Sequence, residues 1–91
     1  MAKRYELYKV LVIKELILRC LRARGKVVSI HPGVFKNMGM VSTVELATIK
    51  YILEELIAEG LGYKHITSTK TKYIFYKDLF LKKYANARTN Q

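Results

Sequence analysis

Ninety-one residues, about half of them apolar, with 17 Lys/Arg against 7 Asp/Glu, describe one small domain with a formal charge of +10. Surface-to-volume scaling leaves a chain this short little core to spare, which favours very good packing or a second subunit. A single Cys20 excludes an internal disulfide, and the apolar N-terminal run is broken by Lys9, Lys14, Glu15 and Arg19. That pattern predicts neither a signal peptide nor a membrane span, and a cytoplasmic protein.

The first predicted element is a helix over roughly Arg4 to Ala23. At 100° per residue, Val10, Ile13, Leu16, Ile17, Cys20 and Leu21 fill one broad face, and Leu7, Leu11 and Leu18 form a second stripe beyond Lys14. One core hides the first face. The second stripe needs another partner, either the C-terminal helix or the same helix of a second subunit; the second is favoured, as a two-fold homodimer interface at Leu7, Leu11 and Leu18. Val27 to Ile30 suits a short strand. Pro32 suits the first turn of a short helix with Val34, Phe35 and Met38 inward, and Gly39 makes the following turn.

Ser42 and Glu45 have the spacing of a capping box, so a long helix is predicted to start there. Leu46, Ile49, Leu53, Leu56 and Ile57 recur at three- and four-residue intervals, with Ile52 on the flank. Thr48, Lys50, Tyr51, Glu54 and Glu55 lie opposite. Gly60 ends the helix and Leu61 folds back onto its last turn. The period then changes to that of strands, with Tyr63 to Thr67 and Lys72 to Lys77 as two arms around a polar turn, Ser68 to Thr71. No Asn-Gly or Asp-Gly marks that turn, so its geometry stays open. Asp78 caps a final helix reaching about Ala85, and residues 1–3 and 86–91 read as frayed ends of a single domain, 1–91.

Charge is uneven along the chain. Residues 1–26 hold eight Lys/Arg against Glu6 and Glu15. Residues 27–61 hold Lys36 and Lys50 against Glu45, Glu54, Glu55 and Glu59, and residues 62–91 hold seven against Asp78 alone. Two basic ends suit a polyanion partner, since each Lys or Arg that neutralises a phosphate releases condensed counterions. His31, His65 and Cys20 lack zinc-site spacing, and no nucleophile motif or phosphate loop occurs, so no metal, no cofactor and no enzymatic activity are predicted. Tyr63, Tyr73, Tyr76 and Phe75 either pack the sheet on the helices or stack the bases of single-stranded nucleic acid, and the alternation does not say which ring is exposed.

Thr48-Ile49-Lys50-Tyr51-Ile52-Leu53-Glu54-Glu55-Leu56-Ile57-Ala58-Glu59-Gly60-Leu61, followed by the Lys/Thr-rich hairpin, resembles the recognition helix, exit glycine and wing of the winged helix-turn-helix family. The resemblance covers roughly residues 7–77, and size and makeup are similar to small winged-helix regulators of archaea and their viruses. It implies an α+β fold ordered helix, short strand, short helix, recognition helix, two-stranded wing, C-terminal helix. It also implies a dimeric transcription regulator of double-stranded DNA. Carried onto this chain, Ser42, Thr43, Thr48, Lys50 and Tyr51 would face the major groove. Lys64, Lys70 and Lys72, with Ser68, Thr69 and Thr71, would contact the backbone. The chain departs from the family pattern in offering no Arg, Asn or Gln between Ser42 and Gly60 for bidentate base contacts. A protein-interaction winged helix, or an architectural or RNA-binding module, is the competing reading.

Overall fold

The computed structural model describes residues 2–39, 41–43 and 45–85, with side chains from Tyr5 onward. The fold is α+β, with four helices and one three-stranded antiparallel sheet. In chain order these are α1 (Ala2–Arg22), β1 (Val27–Ile30), α2 (Gly33–Asn37), α3 (Leu46–Leu56), β2 (Gly62–Ile66), β3 (Thr71–Tyr76) and α4 (Lys77–Tyr84). The expected order of elements is therefore the observed one.

β3 lies in the middle of the sheet, between β1 and β2. Val28 pairs with Phe75 and Ile30 with Tyr73, so the inward residues of both strands fall in register, and Tyr63 pairs with Ile74. Strand alternation explains the two faces: Val28, Ile30, Tyr73 and Phe75 are buried, whereas Val27, Ser29, Lys72 and Tyr76 are exposed. β2 contributes no buried residue, so its hairpin with β3 is an arm reaching away from the core.

Helix α1 supplies Tyr8, Val12, Leu16 and Cys20 to the core at strict four-residue spacing. Of the face expected inward, Leu16 and Cys20 are buried and Ile13 and Ile17 pack against the core, but two residues are not inward. Val10 and Leu21 are 60% and 66% exposed, and they join Leu7 and Leu18 on a solvent-facing apolar stripe. Leu11 instead packs against the core. The slip arises because α1 is apolar on two opposite sides, and a wheel alone gives no phase for a helix with two such stripes. Helix α1 also begins at Ala2, so residues 2 and 3 are helical where fraying was expected, while Met1 and residues 86–91 lie outside the described residues.

Two further boundaries and one inward residue differ from expectation. α3 begins at Leu46 with Glu45 as its cap residue, not at Ser42. Half of the predicted capping box is present, since the Ser42 N–H donates to Glu45 Oε1 at 2.8 Å. The N–H of Glu45, however, goes to the Ser42 carbonyl at 3.1 Å, making a separate turn ahead of the helix. In α2 Phe35 is buried as expected, but Met38 is 47% exposed. Tyr76, not Asp78, caps α4, and Asp78 lies in its first turn, where a carboxylate favours the helix dipole without capping.

After Leu56 the helix widens through Ile57–Leu61 and stops at Gly60, whose φ of 85° suits glycine. Leu61 turns back into the core, as expected. Gly62 is needed for another reason: a Cβ there would collide with the Ile74 carbonyl oxygen and come within 2.9 Å of Phe75 Cα. The chain can pass from α3 into β2 this tightly only without a side chain.

Candidate nucleic-acid interface

The hairpin turn is built by a threonine. Ile66 pairs with Thr71, and the Thr67 N–H donates to the Lys70 carbonyl at 2.8 Å. The Lys70 N–H donates to Thr67 Oγ1 at 3.0 Å, so the side-chain oxygen accepts the bond that closes the turn. No non-glycine residue among those described has a positive φ. A Thr hydroxyl in this role explains how the turn forms without Asn-Gly or Asp-Gly. The strands accordingly run Gly62–Ile66 and Thr71–Tyr76, one residue earlier than the sequence pattern suggests.

Closing the turn at Ser68 and Thr69 brings the tip over the start of α3. A cleft of about 440 Å³ lies between them, lined by His31, Pro32 and Gly33 at the start of α2, Leu46 and Lys50 of α3, and Thr67 to Thr71. No carboxylate lines it. The His31 ring sits against Gly33, where a Cβ would come within 3.1 Å of Nδ1. A second cleft of about 250 Å³ adjoins it, lined by Arg19, Ser29, Ile30, His31, Val34 and Lys72. His31 lines both clefts, whose cations are Lys50 and Lys70 in the first and Lys72 and Arg19 in the second, with Arg19 paired to Glu15 at 2.9 Å.

Three of the four acidic residues in the middle of the chain make internal joints. Tyr8 on α1 donates its hydroxyl to the Glu45 carboxylate. Tyr73 on β3 donates to Glu54 Oε2 at 3.1 Å, and Tyr84 on α4 donates to Glu59 Oε1 at 2.9 Å. Each of these three carboxylates thus holds a different element, whereas Glu55 makes no side-chain bond among the described residues and its Oε1 is buried without a partner. Lys64 adds a bond to Glu54 at 3.2 Å, and Lys83 pairs with Glu59 at 2.8 Å. The bond from Lys64, then that from Tyr73, holds the Glu54 carboxyl below its usual value. Burial pushes Glu59 up, but Lys83 and Tyr84 outweigh it and the net direction is down. Burial, then the neighbouring carboxylate, pushes Tyr73 and Tyr84 up to about 12. These bonds tie the hairpin and α4 to α3, with Glu54 still exposed at the surface.

Of the residues singled out from the sequence, Lys50, Ser68, Thr69, Lys70 and Thr71 come together around the first cleft. Lys72 lines the second. Ser42 and Thr43 are exposed in the turn before α3, and Thr48 is half-buried. Tyr51 is exposed and leans edge-on against Tyr5 of α1, 6.0 Å between ring centres. Lys64 is engaged by Glu54 on the helix-facing side of the arm. No family model, curated protein or solved structure matches the chain. The reading of the site therefore rests on its own geometry.

Sequence reasoning missed His31 and Gly33 as cleft residues. The available signal was that His31-Pro32-Gly33 opens a helix, which puts the imidazole at an exposed corner of the fold. Cys20 is fully buried, and burial raises its thiol against the opposing charge of Lys77, so it packs as a small apolar group. Among the described residues no three His, Cys, Asp or Glu cluster as metal ligands, and no helix is long and apolar enough to cross a membrane.

Proposed function

We propose that this chain is a small winged helix-turn-helix protein that binds double-stranded DNA in the cytoplasm as a homodimer and regulates transcription. The observation that carries the reading is the carboxylate-free cleft between α3 and the hairpin tip, with Lys50 on one wall and Lys70 on the other. A helix and a basic β-arm set side by side suit a groove and its flanking phosphate strand. Lys70 and Lys72 contact phosphates, and the hydroxyls of Ser68, Thr69 and Thr71 add neutral contacts. Thr48, Lys50 and Tyr51 are presented by α3, with Ser42 and Thr43 just ahead of it.

Sequence discrimination is modest, because the α3 surface offers hydroxyls, one lysine and one tyrosine in place of bidentate Arg, Asn or Gln. Glu54 does not oppose this mode of binding, since Lys64 neutralises it.

A second copy is the partner for α1. Leu7, Val10, Leu18 and Leu21 are each 41–66% exposed on the side away from the core. Leu7, Val10, Lys14, Ile17 and Leu21 follow the three-four spacing of a helix-pairing seam. A two-fold pairing there presents two hairpins to one duplex.

The test is titration of a random-sequence 20-base-pair duplex across a salt series, with mass measured by light scattering. Binding by a dimer that weakens steeply with salt supports the reading. Failure to bind duplex DNA at moderate salt overturns it.

A further inference from the structure

The outer face of the sheet holds a second candidate site, on tyrosines that line neither cleft. Tyr63 on β2 and Tyr76 on β3 are 44% and 39% exposed. Their ring centres lie 5.9 Å apart at an interplanar angle of 45°. They stand on one face because Tyr63 pairs with Ile74, and Tyr76 is two residues further along β3 on the same side. Val27, across from Tyr76 on β1, is 46% exposed and extends the apolar floor. The inward tyrosine and phenylalanine, Tyr73 and Phe75, are buried and take no part.

The charged side chains within the three strands are both basic, Lys64 and Lys72. His65 pairs with Lys72 two residues along the strands from the Tyr63–Ile74 pair, about 7 Å from Tyr63, with Lys72 about 13 Å from Tyr76. No Asp or Glu occurs in β1, β2 or β3. A tyrosine pair open to solvent beside cations, with no carboxylate in the sheet, complements a ligand that combines flat π faces with a polyanionic backbone. Duplex DNA hides its base faces, so rings of this kind can stack only on unpaired bases.

We infer that the outer sheet face binds single-stranded nucleic acid, with unpaired bases stacked on Tyr63 and Tyr76 and the adjoining phosphates near Lys72 and His65. The tyrosine pair lies outside the proposed duplex cleft, and its site shares only Lys72 with the proposed duplex contacts, so stacking on the rings and duplex binding can succeed or fail independently.

The test is fluorescence anisotropy of the intact protein with labelled oligo-dT of 12 nucleotides and with a labelled duplex, for wild type, Tyr63→Leu, Tyr76→Leu, both Tyr→Phe variants, and Lys50→Ala/Lys70→Ala. Circular dichroism checks folding of each. Each Leu variant should bind oligo-dT about tenfold or more weakly, in line with the loss of a stacking ring. The Phe variants should retain the affinity, and all four should bind duplex as wild type does. The lysine variant should lose duplex affinity far more than oligo-dT affinity. Undetectable oligo-dT binding by wild type at moderate salt, or binding that the Leu variants leave unchanged, overturns the inference. Loss of duplex binding in every protein with oligo-dT binding intact overturns the proposed function alone.

Discussion

Replacing Tyr73 with Phe tests the joint that fixes the hairpin arm to α3, and its effect should reverse with pH. The ring is 2% exposed, and its hydroxyl donates to Glu54 at 3.1 Å. Phe fills the same space, so only the bond is lost. A hydrogen bond to a charged acceptor contributes about 1.5–3 kcal/mol, and the exposure of Glu54 argues for the low end, about 1.5 kcal/mol. In a domain this small that lowers Tm by roughly 6–12 °C near pH 7. The native phenol is pushed up to about 12 from an ordinary value of 10, so the stability associated with its proton is complete below pH 10. It then declines as pH rises towards 12, because the unfolded chain ionises first. Two-state linkage puts that loss at about 1.4 kcal/mol by pH 11. Tyr73→Phe lacks the titration, so its deficit should shrink above pH 10 and vanish near pH 11, while lysine deprotonation affects both proteins alike. Urea unfolding at pH 7, 9, 10 and 11 measures this directly. Parallel wild-type and variant curves, or a deficit that grows with pH, would refute the joint as described.

Gly62→Ala should destabilise the fold by about 1–3 kcal/mol in thermal unfolding, because the new Cβ meets the Ile74 carbonyl. Thr67→Val should cost about 1 kcal/mol or less globally, since it removes the acceptor of the Lys70 N–H at an exposed turn. It should also speed hydrogen exchange at Lys70 while leaving the β1–β3 amides protected. Leu7→Glu/Leu21→Glu, at positions 57% and 66% exposed, should leave the circular dichroism spectrum unchanged and shift the species in sedimentation from dimer to monomer. A wild-type protein that is already monomeric at micromolar concentration would contradict that.

Much of the architecture is written in local signals. The Leu46 to Leu56 periodicity, Gly60, and the alternation of Tyr73 and Phe75 each specify an element on their own, and all three are present, with the start of α3 and the strand ends shifted. Boundaries moved where two local devices competed. Glu45 serves as acceptor for Tyr8 and for the Ser42 N–H, and it is the long-range bond to Tyr8 that a capping-box reading cannot contain. The phase of α1 was illegible for a different reason: with apolar residues on two opposite sides, only the packing partners decide that Val12 is inside and Val10 outside.

The candidate site divides in the same way. The lysines and hydroxyls of the hairpin were visible as composition, and Lys50 as the polar side of α3. The contribution of His31 was not, because it depends on β1 carrying residue 31 to the corner between α2 and the hairpin tip. Neither were the hydrogen bonds that Glu54, Glu45 and Glu59 accept from tyrosines 19, 37 and 25 residues away. Those three bonds tie the carboxylates to β3, α1 and α4, and none of the three lines the cleft.

The most direct measurement of the central claim is the salt dependence of duplex-DNA binding by wild type and by Lys50→Ala/Lys70→Ala. Each phosphate contact contributes about one unit to the slope of log K against log salt. The cleft between α3 and the hairpin predicts a slope about two units shallower per subunit for the double variant, with weakened affinity on every duplex sequence. An unchanged slope and affinity would show that the cleft does not meet the DNA backbone.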